Sequence, residues 1–196
     1  SMTDLLESNH YLIRKKLLKI VGEKFHIYSD DNQEELIGYS YQKAFKIKED
    51  IRVYTDESET EEILKIKARN VLDLSGNYDF SDSKNGDFIG GVKRHFRKSI
   101  LQDSYSVFDS DKQIFAEIKE DRMFSAIIRR IVPFAKYVFP QQFALNFPGN
   151  PTIIFTQKMN PVIQKLTVDI PEGNQLDPRI ILGAAMVIIA IEGKQN

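Results

Sequence analysis

The sequence predicts a mainly β protein, a closed antiparallel barrel of about twelve short strands around a buried hydrophobic C-terminal helix. Three observations lead there. Four stretches say nearly the same thing: residues 25–30 (FHIYSD), 51–56 (IRVYTD), 78–82 (YDFSD) and 105–111 (YSVFDSD). Their aromatics Tyr28, Tyr54, Phe80 and Phe108 are spaced 26, 26 and 28 residues apart, and such a period marks one supersecondary unit copied along the chain. Each copy continues through an acidic tract to an apolar answer, at residues 36–38, 63–64, 88–90 and 114–115. Finally, residues 180–191 form an apolar run with no polar stripe.

Taken in order, residues 1–10 read as an N-terminal tail, with Ser1 ahead of Met2 as a cloning remnant, and residues 11–192 as a single barrel domain. Within the copies the apolar residues alternate: Phe25 and Ile27 share one strand face, and Lys46 and Lys48 fall opposite Ile47. The tracts 30–32, 56–58 and 82–87 supply turn chemistry and read as hairpin tips, with Asn85-Gly86 as a turn and Gly90-Gly91 as a bulge. The repeat extends backward too, with segments at 14–20, 42–47, 69–74 and 93–100 preceding the copies, so each copy reads as about three strands. So many antiparallel strands close on themselves or split into two sheets, because open edges invite aggregation.

After Asp121 the repeat fades. Residues 122–139 are apolar and aromatic with interspersed Arg129, Arg130 and Lys136, and begin as a short helix that Pro133 ends. Pro140, Pro148 and Pro151 mark turns, and residues 152–155 and 164–169 are closing strands around a turn at Asn160-Pro161. Asp177 caps a last helix over about 178–191, with Pro178 in its first turn. Its β-branched residues leave a buried strand as an alternative, but the cap, the length and Gly183-Ala184-Ala185 favour helix. A helix apolar all round must be surrounded, and the simplest place is inside the barrel.

Bulk properties bound the function. The chain has no cysteine, which removes disulfides, thiol catalysis and thiolate–zinc sites and suits a reducing cytoplasm. Net charge is −1, so nothing global suggests a nucleic-acid partner. The N-terminus lacks the charged and apolar regions of a signal peptide, and the terminal apolar run is too short to cross a bilayer, so no transmembrane span is expected. The expected location is the cytoplasm, with its membrane surface as a second option.

Residues 11–20 (YLIRKKLLKI), the FHIYSD repeats and residues 176–183 (LDPRIILG) resemble the LURP-one-related proteins, which belong with the tubby C-terminal domain and the phospholipid scramblases. The similarity covers roughly residues 11–192. It implies a twelve-stranded antiparallel barrel around a buried C-terminal helix. It also implies candidate activities: tubby domains bind phosphoinositide headgroups through basic residues, and scramblases are linked to calcium and lipid movement. Where scramblases carry an Asp-rich calcium-binding stretch, this chain keeps Asp169, Glu172 and Asp177 at sparser spacing, and it lacks their palmitoylated cysteines and proline-rich leader.

The residues offer two candidate surfaces. Cations recur with the repeat: Arg14, Lys15 and Lys16, then Lys43, Arg69, and the cluster Lys93, Arg94, Arg97 and Lys98. In a closed repeat these positions lie around one rim, where they would hold an anionic lipid headgroup or another anionic ligand. The plainer reading is solvated strand faces that block edge-to-edge pairing. The second surface is the aromatic segment, with Arg129, Arg130, Phe134, Tyr137 and Phe139 facing a membrane or a protein partner; packing on the barrel is the commoner fate of such a segment. Calcium at Asp109–Asp111 or Asp30–Asn32 lacks the glycine and terminal glutamate of an EF-hand loop, and hairpin tips explain both. His10, His26 and His95 have no metal-ligand spacing, and no nucleophile elbow, P-loop or dinucleotide fingerprint is present. No catalytic residue, metal site or cofactor is therefore assigned. The expectation is a non-catalytic binding module for anionic lipid headgroups or another anion, with a protein-interaction scaffold as the alternative and a calcium-dependent scramblase third.

Overall fold

The computed structural model describes residues 1–18, 22–43, 50–69, 76–95, 103–120, 127–128 and 131–192. Among them twelve strands pair antiparallel: β1 (His10–Leu18), β2 (Gly22–Tyr28), β3 (Leu36–Lys43), β4 (Ile51–Tyr54), β5 (Glu62–Ala68), β6 (Asn77–Asp82), β7 (Phe88–His95), β8 (Ser104–Asp109), β9 (Ile114–Glu120), β10 (Gln141–Asn146), β11 (Ile153–Met159) and β12 (Ile163–Asp169). Each pairs with its neighbours in sequence, and β12 returns to β1 with His10 opposite Asp169 and Lys16 opposite Ile163. The barrel is closed, so no edge is left to pair with another chain.

Four hairpins, β2–β3, β4–β5, β6–β7 and β8–β9, carry the sequence repeat, and each holds one β-bulge near its tip. Ile27 faces Gly38 while Tyr28 faces Leu36, which leaves Ile37 as the extra residue; the same reasoning picks out Ile63, Ile89 and Phe115. These four bulged residues are 26 residues apart without exception. The aromatic spacing drifts because Phe80 is out of step: it holds the inward place of Ile27, Val53 and Val107, and Ser81 holds that of Tyr28. Each copy is a two-strand hairpin rather than three strands, so the repeat supplies eight of the twelve. The reason is length: seven or eight residues at about 3.3 Å each cross the wall, so the apolar answer and the following basic segment fill one strand, as in β3 and β7. The predicted strand ends at 44–47, 70–74 and 96–100 lie outside the described residues.

The recurring aspartates build the tips. Asp30 accepts the N–H groups of Glu34 and Glu35, Asp56 that of Ser58, Asp82 that of Lys84, and Asp109 those of Asp111 and Gln113. Asp56, Asp82 and Asp109 thereby close Asx turns onto the residue two positions on, while Asp30 ties its longer tip from further along, so a carboxylate at that place serves every copy. All four tips emerge at one end of the barrel, called the tip end below. The opposite end is the far end.

The N-terminal tail carries a short helix. Helix α1 (Met2–Glu7) buries Leu5 against the barrel, and the Tyr11 hydroxyl donates to the Leu5 carbonyl at 2.6 Å. The C-terminal helix α2 (Pro178–Glu192) starts at the tip end, where Asp177 accepts the Arg179 N–H at 2.9 Å and Arg179 reaches across to Asp82 on β6 at 2.7 Å. Residues 181, 182 and 184–189 are buried without a break, so every helix face is covered. Gly183 admits the ring of Phe80 from β6; a Cβ there would stand 2.6 Å from it. At the far end the Ile189 carbonyl accepts from Gln164 at 3.1 Å and from Lys15 at 3.4 Å, which seats a cation against the negative end of the helix. The helix thus runs through the lumen, with its last turn held by β1 and β12.

Candidate functional site

Strand alternation divides the first predicted cation triplet. Lys15 faces the lumen with Tyr11 and Ile13, and its ammonium lies 3.5 Å from Glu23 and over the Phe25 ring. Beside it Gln164 donates to Gln157 at 2.7 Å and Gln157 to Gln141 at 3.1 Å, a buried polar chain under the helix end. Lys15 is a structural cation. Arg14 and Lys16 point outward.

Outside, strand register assembles what the sequence kept apart. Arg14 stands directly opposite His26 on β2 and Lys165 on β12, Lys165 stands opposite Lys158 on β11, and Lys16 opposite Lys24 on β2. Directly opposed side chains lie only about 5 Å apart at Cβ, and like charges so placed are destabilising. Five cations on four adjacent strands form one wall, with Lys16 and Lys158 exposed and Arg14, Lys24 and Lys165 half-buried. No carboxylate among the described residues pairs with Lys16, Lys24, Lys158 or Lys165. Arg14 reaches only the Gln33 amide oxygen at 3.5 Å, and its Nε is buried with no hydrogen-bond partner. The flank closes with His26, whose Nε2 meets Glu57 at 2.7 Å.

Other cations are spent differently. Arg52 meets Glu62 at 2.8 Å, Arg69 meets Asp79 at 3.0 Å, Arg94 meets Asp103 at 3.5 Å and Arg179 meets two aspartates. Among the described arginines, Arg14 alone has no carboxylate within ion-pair reach. The tip end is the reverse of the wall: residues 30–35 and 56–62 hold nine carboxylates and no lysine or arginine, so an anion is repelled there. There His10 bridges two of the acidic groups, Asp31 and Asp169, each at 2.7 Å. Burial disfavours its charge, but the two carboxylates outweigh this and raise its pKa above the ordinary 6.5.

The second basic cluster lands elsewhere. Lys93 is exposed on β7, six strands from β1 in either direction around the ring, so it and Arg14 share no surface. Arg94 is turned inward and buried. Lys43 is exposed at the end of β3 and Arg69 lies over the Phe108 ring. Arg97, Lys98, Arg129 and Arg130 lie outside the described residues. Alternation could have separated Lys15 from Arg14 and Lys16 in the sequence. Nothing local could have found Lys24, Lys158 and Lys165, because Arg14 and Lys165 meet only when β12 closes on β1.

The described part of the aromatic segment touches the barrel at its 3₁₀ turn, which lies against β11, and leaves most of its large apolar side chains exposed. The Val132 N–H closes a helical turn onto Ile128 at 2.9 Å, Pro133 ends it, and a 3₁₀ turn follows at Ala135–Tyr137. Among its described residues only Ala135 is buried; Phe134 and Val138 are 75% and 74% exposed. Eight large apolar side chains are exposed among the described residues, and six gather at the far end: Ile131, Val132, Phe134, Val138, Phe139 and, from the β11–β12 turn, Val162.

No protein-family model matches the chain, and no curated protein matches it.

Proposed function

We propose that this protein is a binding module that holds an anionic ligand, a lipid headgroup or another polyanion, on the outer wall formed by Arg14, Lys16, Lys24, Lys158 and Lys165. The observation that carries the reading is the unpaired row itself. Opposed like charges cost stability, and other cations of this chain are neutralised by carboxylates a few ångströms away. An anion laid across the row relieves the repulsion. At about 1 kcal/mol per cation near an anionic surface, five cations supply up to about 5 kcal/mol. Membership of the LURP-one-related proteins is part of the proposal; the closed barrel and its buried terminal helix support it. The proposed role is binding rather than chemistry, and the wall replaces the single rim that recurrence of the cations suggested.

The test is calorimetric titration with inorganic polyphosphate at low and physiological salt. The wild type binds more weakly as salt rises, and Lys158→Glu/Lys165→Glu loses at least about 2 kcal/mol, or roughly thirtyfold in affinity. Equal binding by the two proteins would refute the wall as the site.

A further inference from the structure

The exposed apolar residues stand beside the cation wall. The 3₁₀ turn Ala135–Tyr137 lies against β11, the strand that carries Lys158. Val162 occupies the turn between Lys158 on β11 and Lys165 on β12 and is 63% exposed. Cations and bare apolar side chains therefore share one corner of the barrel.

Phe134 is held out rather than left out. Its φ is +65°, a left-handed conformation uncommon for a bulky residue, and its ring stacks with Tyr137 at 6.2 Å. Such an outlier persists only where the surroundings fix it. Projecting apolar side chains next to unpaired lysines do not suit a protein partner unless it brings both a pocket and carboxylates. A second copy docked corner to corner would oppose the same cations. A bilayer surface supplies both complements at once: anionic headgroups for the wall and an acyl boundary for the rings. Among the described residues no helix is long and apolar enough to cross a membrane, and the cations on the outer face of β1, β2, β11 and β12 suit a barrel that lies at the interface.

We infer that this corner is a peripheral docking surface for an anionic phospholipid bilayer, with Phe134, Val138 and Val162 entering the acyl boundary while Lys158, Lys165 and Arg14 hold headgroups. This rests on the anion-binding reading and narrows it to lipid. The barrel sits far end down, and the acidic tips point away from the negative membrane.

The chain has no tryptophan, so Phe134→Trp makes a single reporter at an exposed position. It is mixed with vesicles of phosphatidylcholine alone or with phosphatidylserine, and with versions carrying brominated acyl chains. The expected result is a blue-shifted emission, quenched by bromine, with phosphatidylserine only. Val138→Ser/Val162→Ser, melting like the wild type, binds these vesicles at least about tenfold more weakly. Serine-dependent binding without shift or quenching overturns insertion and leaves the anion reading standing, and equal binding to phosphatidylcholine alone overturns headgroup recognition by the lysines. Failure to bind vesicles, with polyphosphate still bound through Lys158 and Lys165, overturns the lipid assignment alone. Failure with both ligands overturns the two readings together.

Discussion

Gly183→Ala decides whether the terminal helix lies within the barrel, because two effects of opposite sign compete there. In a helix exposed to solvent, alanine in place of glycine stabilises by about 1 kcal/mol. Here the new methyl would stand 2.6, 2.7 and 2.8 Å from three ring atoms of Phe80, a fully buried side chain. The ring is enclosed by the wall and the helix, so relief needs a backbone shift, and overpacking of this kind costs about 1–3 kcal/mol. The net expectation is a loss of up to about 2 kcal/mol, with the melting temperature falling by about 2–4 °C for each kcal/mol in a chain of this size. Urea unfolding followed by circular dichroism measures it. Phe80→Leu makes room, so the double mutant should lose less than the sum of the singles, with a coupling of about 0.5–3 kcal/mol. A Gly183→Ala protein more stable than the wild type, or strictly additive singles, would refute the packing.

The fold was largely legible in the sequence because its information is local. Alternation, the acidic tips and the all-round apolarity of residues 180–191 each follow from a few neighbouring residues. The register of the repeat was less legible. Counting from the aromatics placed Phe80 with Tyr28, whereas the bulges at Ile37, Ile63, Ile89 and Phe115 keep the period and turn Phe80 inward. The wall was half legible. Arg14 and Lys16 announce themselves, but their partners Lys24, Lys158 and Lys165 depend on barrel closure, and Lys93 falls on the far side for the same reason. The composition of the aromatic segment suits either a membrane or partner surface or packing on the barrel, and does not choose between them. The segment's exposure is a matter of what the barrel leaves uncovered, which no local pattern records.

Lys15→Met removes a buried cation that faces Glu23 and the Ile189 carbonyl, and should cost about 3 kcal/mol in urea melts, whereas Lys16→Met on the outer face should stay within about 0.5 kcal/mol. Ala185→Asp places a charge where the helix is fully buried and should abolish soluble, cooperatively melting protein. The folded pKa of His10 is raised by Asp31 and Asp169, so its stabilisation is complete below the ordinary value of 6.5 and fades as pH rises through the raised one. His10→Gln should therefore destabilise at low pH and converge on the wild type in alkali; a constant difference across that range would contradict the clamp.

The central claim is that one wall, and not the sum of the cations, recognises an anionic surface. Its most direct test is co-sedimentation of three proteins with phosphatidylcholine vesicles, with and without phosphatidylserine, at physiological salt. The wild type and Lys93→Glu should pellet alike with the anionic vesicles, while Lys158→Glu/Lys165→Glu stays in the supernatant. Equal loss in Lys93→Glu and the double reversal, or no loss in either, would contradict it.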